Sequence, residues 1–209
     1  MYLKDVISPT RAFTTSQEYW EDIYASGGNS GPGSYNAPAQ FKAAVLNDFV
    51  RDHKITTILE WGCGDGNQLR LAKYPNYVGA DVSKTAVNKC RQMFANDDTK
   101  AFYLVDEIPG PLRTAECALS LDVIYHLVED DVYVAYMKRL FASATRFVVI
   151  YTWTAEEGPP ISAHVRHRAF LKWMAENISG WSLYKIVKKD DADKNSSDAF
   201  ADFYIFQRQ

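Results

Sequence analysis

The chain has 209 residues, a net charge of −3 and 47% hydrophobic residues, enough for one globular domain with a full core. That balance supplies no basic field for nucleic acid or an anionic membrane surface, and no stretch has the length or continuity of a spanning helix or a signal peptide. Cys63, Cys90 and Cys117 lack C-x-x-C spacing and lie in or beside apolar runs, so free buried thiols in a soluble, cytoplasmic protein are expected and a metal is not.

Residues 1–15 read as a loose lead. A helix is predicted from Ser16, its N-cap, with Trp20, Ile23 and Tyr24 as the apolar face. Gly27 to Tyr35 holds four glycines, which suggests a backbone-rich loop over a small ligand, flanked by Trp20 and Tyr35. A second helix over Gln40 to Val50 has Phe41, Ala44, Val45 and Phe49 at helical spacing. Ile55 to Leu59 is a buried strand, followed by a glycine turn and a short helix over Gln68 to Ala72. Tyr77 to Asp81 is the next strand, and Ser83 caps a helix through Met93 with Ala86, Val87 and Cys90 inward. Ala101 to Val105, Cys117 to Leu121 and Arg146 to Tyr151 are further strands, with a helix from Asp130 to Phe141 before the last. Strands and helices in alternation imply an open α/β fold with a mostly parallel sheet and right-handed crossovers. Trp181 to Lys188 and Phe200 to Gln207 have only the polar tract Lys189 to Ala199 between them, which predicts an antiparallel hairpin at the end.

The most informative stretch is Glu60-Trp61-Gly62-Cys63-Gly64-Asp65-Gly66. Its G-x-G-x-G spacing is one residue short of the dinucleotide G-x-G-x-x-G, and an acid precedes it. Further acids end the later strands: Asp81, Asp106 with Glu107, and Asp122. Ligands of open α/β sheets bind at the carboxyl ends of the strands, and acids there suit a cationic ligand and ribose hydroxyls better than a phosphate. Asp81 lies 19 residues after Gly62, the interval at which an acid after the second strand reaches a ribose diol.

Together these residues resemble the cofactor site of class I S-adenosylmethionine-dependent methyltransferases, over roughly residues 40–209. The resemblance implies a three-layer, Rossmann-like, seven-stranded sheet and a single domain, with residues 1–39 as a helix and glycine-rich lid on a core of 40–209. It implies that Gly62 and Gly64 approach the methionine part of S-adenosylmethionine, with Glu60, Cys63, Asn67 and Gln68 adjoining. Asp81 with Val82 would meet the ribose, and Asp106, or Glu107 in its place, the adenine amine. Main chain at Leu121 and Asp122 would meet the amino group, with Trp20 as cover.

Methyl transfer is an in-line displacement that a base assists when the acceptor is a hydroxyl. His126, after the fourth strand, is the candidate base, with Tyr125 beside it. Tyr35 and the cluster His164, Arg166, His167 and Arg168 are candidate acceptor contacts, because guanidinium groups suit a carboxylate or phosphate. The expected reaction is O-methylation of a small-molecule or glycan acceptor, without nucleic acid. Alternatives are an N-methyltransferase or a macromolecule methyltransferase with His126 structural, or an inactive cofactor-binding subunit. A nicotinamide dehydrogenase is opposed by the glycine spacing.

Overall fold

A computed structural model describes residues 13–153, 161–188 and 201–209. Most of the expected N-terminal lead and the tract 189–199 lie outside the described residues.

Seven strands form one sheet: β1 (Thr57–Trp61), β2 (Asn76–Asp81), β3 (Lys100–Leu104), β4 (Ala115–Leu121), β5 (Ala144–Trp153), β6 (Trp181–Val187) and β7 (Ala201–Arg208). Their order is β3-β2-β1-β4-β5-β7-β6. The first five strands pair in parallel, and β7 lies antiparallel between β5 and β6. The chain builds outward from β1 through β2 to β3, then returns to the other side of β1 with β4. The carboxyl ends of β1 and β4 therefore flank the crevice where strand order reverses.

The inner strands are buried on both faces, which is why they read as unbroken apolar runs. Alternate residues feed two cores. Ile58, Cys117, Leu119 and Val149 meet Leu46 and Phe49 of α2 (Asn36–Asp52) and Val87 and Cys90 of α3 (Lys84–Met93). Leu59, Ala118, Val148 and Ile150 meet Met137 and Leu140 of α4 (Asp130–Ala142) and Phe170 and Met174 of α5 (Phe170–Asn177). The result is the expected three-layer α/β sandwich.

Local chemistry moved several boundaries. In α1 (Ser16–Ala25) the cap is Thr15, whose hydroxyl accepts from the Glu18 N–H, while Ser16 is the first helical residue and bonds Glu129 instead. The buried face of α1 is Ser16, Tyr19, Ile23 and Tyr24, which leaves Trp20 partly exposed. Helix α2 begins at Asn36, because Pro38 is tolerated within a first turn where its missing N–H has no helical partner. Its buried stripe is Ala39, Lys42, Ala43, Leu46, Phe49 and Val50, rotated from the predicted face, so Ala44 is exposed. Gln68–Leu71 is a 3-10 turn rather than an α-helix.

Candidate functional site at the carboxyl ends of the parallel strands

The turn after β1 uses its glycines for backbone geometry. Gly62, Gly64 and Gly66 have φ of +84°, +57° and +80°, a region that costs a side-chain-bearing residue conformational energy. Gly64 also has no spare volume, since an added Cβ would strike Ser30 Oγ. Asp81, at the end of β2, holds the turn: one carboxylate oxygen accepts the Gly64 N–H at 2.9 Å and the other the Ser83 N–H at 2.9 Å. Burial nevertheless raises its pKa to about 6, outweighing those backbone bonds. Glu60 lies beneath the turn, buried, accepting the Tyr77 hydroxyl at 2.6 Å, and burial raises its pKa to about 7.

The loop between α1 and α2 is clipped onto this turn. Asp65 Oδ2 accepts both the Tyr35 hydroxyl at 2.7 Å and the Ser30 N–H at 3.0 Å, and Ser30 Oγ accepts the Asp65 N–H at 2.9 Å. Asn67 donates to the Ser34 carbonyl at 2.7 Å, and the Lys89 ammonium donates to the carbonyls of Tyr24 and Gly28, both at 3.1 Å. Glu21 on α1 accepts the hydroxyls of Ser83 and Thr85 at 2.6 Å each, which ties that helix to the start of α3.

At the end of β4, Asp122 takes φ +60°. One of its carboxylate oxygens meets the ammonium of the buried Lys42 at 2.5 Å, and the other accepts the Tyr125 hydroxyl at 3.1 Å. His126 follows in a 3-10 turn, partly exposed, its Nδ1 2.9 Å from the His164 carbonyl. A carbonyl only accepts, so Nδ1 carries the proton and Nε2 keeps the lone pair. Burial pushes the His126 pKa down to about 4, which keeps the ring neutral at physiological pH.

No family model matches the chain. A curated relative, the tRNA (carboxymethyluridine(34)-5-O)-methyltransferase alkbh8 of Xenopus tropicalis, is 24% identical over 151 residues, covering 70% of this chain and 23% of its own length. The chain thus spans about a quarter of that relative. Among solved structures, the N-methyltransferase NodS from Bradyrhizobium japonicum WM9 with S-adenosyl-L-homocysteine superposes with a TM-score of 0.68 at 13% identity, over 93% of this chain and 99% of NodS. Magnesium protoporphyrin IX methyltransferase from Synechocystis PCC 6803, with bound S-adenosylmethionine, gives 0.66 at 14% identity, over 96% and 100%. The fold is that of the class I methyltransferases.

Within this methyltransferase fold the sequence-predicted residues fall into distinct groups. Gly62, Cys63, Gly64, Asn67 and Gln68 lie on the turn, with Asp81 and Val82 at the neighbouring strand end and Leu121 and Asp122 at the other. The Cys63 thiol is buried against Gly79 and Cys90, and Gln68 donates to the Ala39 carbonyl at 3.1 Å. Trp20 lies edge-on to His126 at 4.9 Å. Asp106 does not join the buried acids: its side chain is 84% exposed and faces Arg139, and Glu107 is exposed as well.

The two arginines of the expected anion clamp already have a partner within the chain. Arg166 and Arg168 both donate to Asp130 Oδ1, at 2.9 and 2.6 Å, and Arg168 also bonds the carbonyls of Leu127 and Val128 and lies over the Tyr133 ring. Their guanidinium groups staple the segment to the start of α4. His164 stacks on Tyr19 at 4.4 Å and His167 on Trp153 at 5.2 Å. Sequence reasoning missed Lys42, Ser30 and Trp153, and it placed Tyr24 and Asp65 in the cover helix and the glycine stretch without their hydrogen-bonding roles. Only Lys42 carried a local signal, a lone charge in the stripe from Ala39 to Val50.

Proposed function

We propose that the chain is an S-adenosylmethionine-dependent methyltransferase. The observation that carries this reading is the β1 turn, with three glycines in left-handed backbone conformation held by a buried acid at the end of β2, in a fold shared with proteins solved with S-adenosylmethionine or its demethylated product. Gly62, Gly64, Asn67, Gln68 and main chain at Leu121 and Asp122 would hold the amino-acid part of the cofactor. Asp81 with Val82 would take the ribose, since each carboxylate oxygen retains a further lone pair beyond its backbone bond. Of the N-terminal lid, the described residues 13–39 would form the cover, with Trp20 over the reacting side, and the described residues from 40 onward would form the core of one methyltransferase unit. The cofactor supplies a sulfonium methyl group, and the protein supplies alignment.

The reaction is O-methylation with His126 at the acceptor. The acceptor oxygen forms the new bond to the methyl carbon, the carbon–sulfur bond breaks with its electron pair going to sulfur, and the acceptor's proton passes to His126 Nε2. The His164 carbonyl fixes the tautomer that makes Nε2 the acceptor, and stays as the partner of Nδ1–H when the ring becomes charged. A small molecule is the favoured acceptor. A nucleic-acid acceptor stands as the second reading, because the curated relative is a tRNA 5-O-methyltransferase, and this weighs against the exclusion drawn from net charge.

The test is transfer of labelled methyl from S-adenosylmethionine into a pooled metabolite extract and, separately, into total RNA. Label in the metabolite fraction that drops in His126→Ala is expected. Label confined to RNA would favour the second reading, and no label in either would overturn the first.

A further inference from the structure

A wall of rings stands over the carboxyl ends of β4 and β5, one strand away from the glycine turn. Trp153, the last residue of β5, lies nearly parallel to Tyr125 (5.7 Å between centroids, 24°) and to His167 (5.2 Å, 17°). Next to it, His126 and His164 are parallel at 5.6 Å and 13°. Tyr125, Trp153, His126 and His164 each keep part of their surface open to solvent. Hydrogen bonds fix the arrangement: the Arg166 N–H donates to the Tyr125 carbonyl at 2.8 Å, and the His164 carbonyl holds His126.

Among the described residues the wall carries no uncommitted charge. Burial lowers the pKa of all three histidines, so each ring is neutral at physiological pH. Arg166 and Arg168 are held by Asp130, and the Asp122 carboxylate beside Tyr125 is matched by Lys42. His167 adds a buried Nδ1 for which no described residue provides a hydrogen bond. Among the described residues an acceptor bearing a phosphate or carboxylate would find no uncommitted counter-ion at the wall, and a saturated ring would forgo the stacking that flat partners gain against such rings.

We infer that this wall binds a planar, uncharged aromatic or heteroaromatic acceptor by stacking, presenting its hydroxyl to His126. The inference rests on the methyl-transfer reading above and names the acceptor class for that site.

The experiment uses the full chain, free and saturated with S-adenosylhomocysteine, titrated by calorimetry with three bicyclic probes of like size. These are 2-naphthol (planar, neutral), decahydro-2-naphthol (saturated, neutral) and 6-hydroxy-2-naphthoate (planar, anionic). The expected result is that 2-naphthol binds at least tenfold more tightly than either of the others. Trp153→Leu should erase that preference while S-adenosylhomocysteine affinity stays within about twofold, and Trp153→Phe should retain part of it. Equal or tighter binding of the saturated or the anionic probe, or no binding of 2-naphthol to either form, would overturn the inference, and the wild-type ranking decides this even if a variant misfolds. A single-stranded hexauridylate run alongside separates the sources of the ring. Trp153-dependent binding of it assigns the ring to a polynucleotide base, and its absence assigns it to a free small molecule. Failure to bind S-adenosylhomocysteine would instead count against the cofactor reading, leaving the probe ranking on the free protein to judge the wall.

Discussion

Loss of hydration shifts Glu60, which is buried, and His126, which is partly exposed, in opposite senses. Glu60 has its folded pKa raised to about 7, so its contribution to stability is fully present below the unfolded value and is lost as pH rises through about 7. Glu60→Gln keeps an acceptor for the Tyr77 hydroxyl and removes the titration. The difference in stability between wild type and Glu60→Gln, followed by denaturant melts, should move in favour of the variant between pH 4.5 and 7. A difference independent of pH would contradict the buried, uncharged carboxyl. His126 is lowered to about 4, so the acid limb of kcat/KM that it controls should lie near that value and vanish in His126→Ala. The same variant should lose on the order of 100-fold or more in kcat with S-adenosylhomocysteine affinity unchanged. An acid limb at the ordinary histidine value, or unchanged turnover, would remove His126 from the chemistry.

At the scale of elements, two joints connect the covering segments to the sheet. The α1–α2 loop is fastened through Asp65, and Tyr35→Phe removes a hydroxyl that donates to its carboxylate at 2.7 Å. A loss of about 1 kcal/mol should speed amide exchange across residues 27–35 roughly fivefold, with α2 unaffected. Uniform exchange in both proteins would mean that the loop is held elsewhere. The second joint is the arginine staple on Asp130. Arg168→Met removes contacts to Asp130, two carbonyls and the Tyr133 ring. It should cost about 2 kcal/mol and lower Tm by roughly 4–8 °C, leaving the acceptor's KM unchanged. A rise in that KM at unchanged Tm would restore the anion-clamp reading. The difference between expectation and structure here has a plain cause. Sequence shows that two arginines sit together, but their partner, Asp130, is 36 positions from Arg166 and 38 from Arg168 and is reached only through the fold.

For the whole molecule, the sheet and its switch point were legible because unbroken apolar runs and intervening helical periods carry that information locally. The acids at the ends of β1, β2 and β4 followed from the same register. What was not legible depends on contacts distant in sequence: the Lys42–Asp122 pair, the loop fastened at Asp65, and the ring wall between Tyr125, Trp153 and His167. Asp106 shows the complementary case, a residue well placed by spacing whose side chain turns to solvent and Arg139. Because a ligand bound across β2, β1 and β4 stabilises only the folded chain, S-adenosylhomocysteine at about 100 times its Kd should raise Tm by roughly 5–10 °C. The most direct test of the central claim is calorimetric titration of the wild type and Asp81→Ala with S-adenosylhomocysteine. One saturable site in the wild type, weakened at least tenfold by the substitution, is the predicted result. Absence of binding to the wild type, or equal binding by Asp81→Ala, would contradict a cofactor site built on the glycine turn and Asp81.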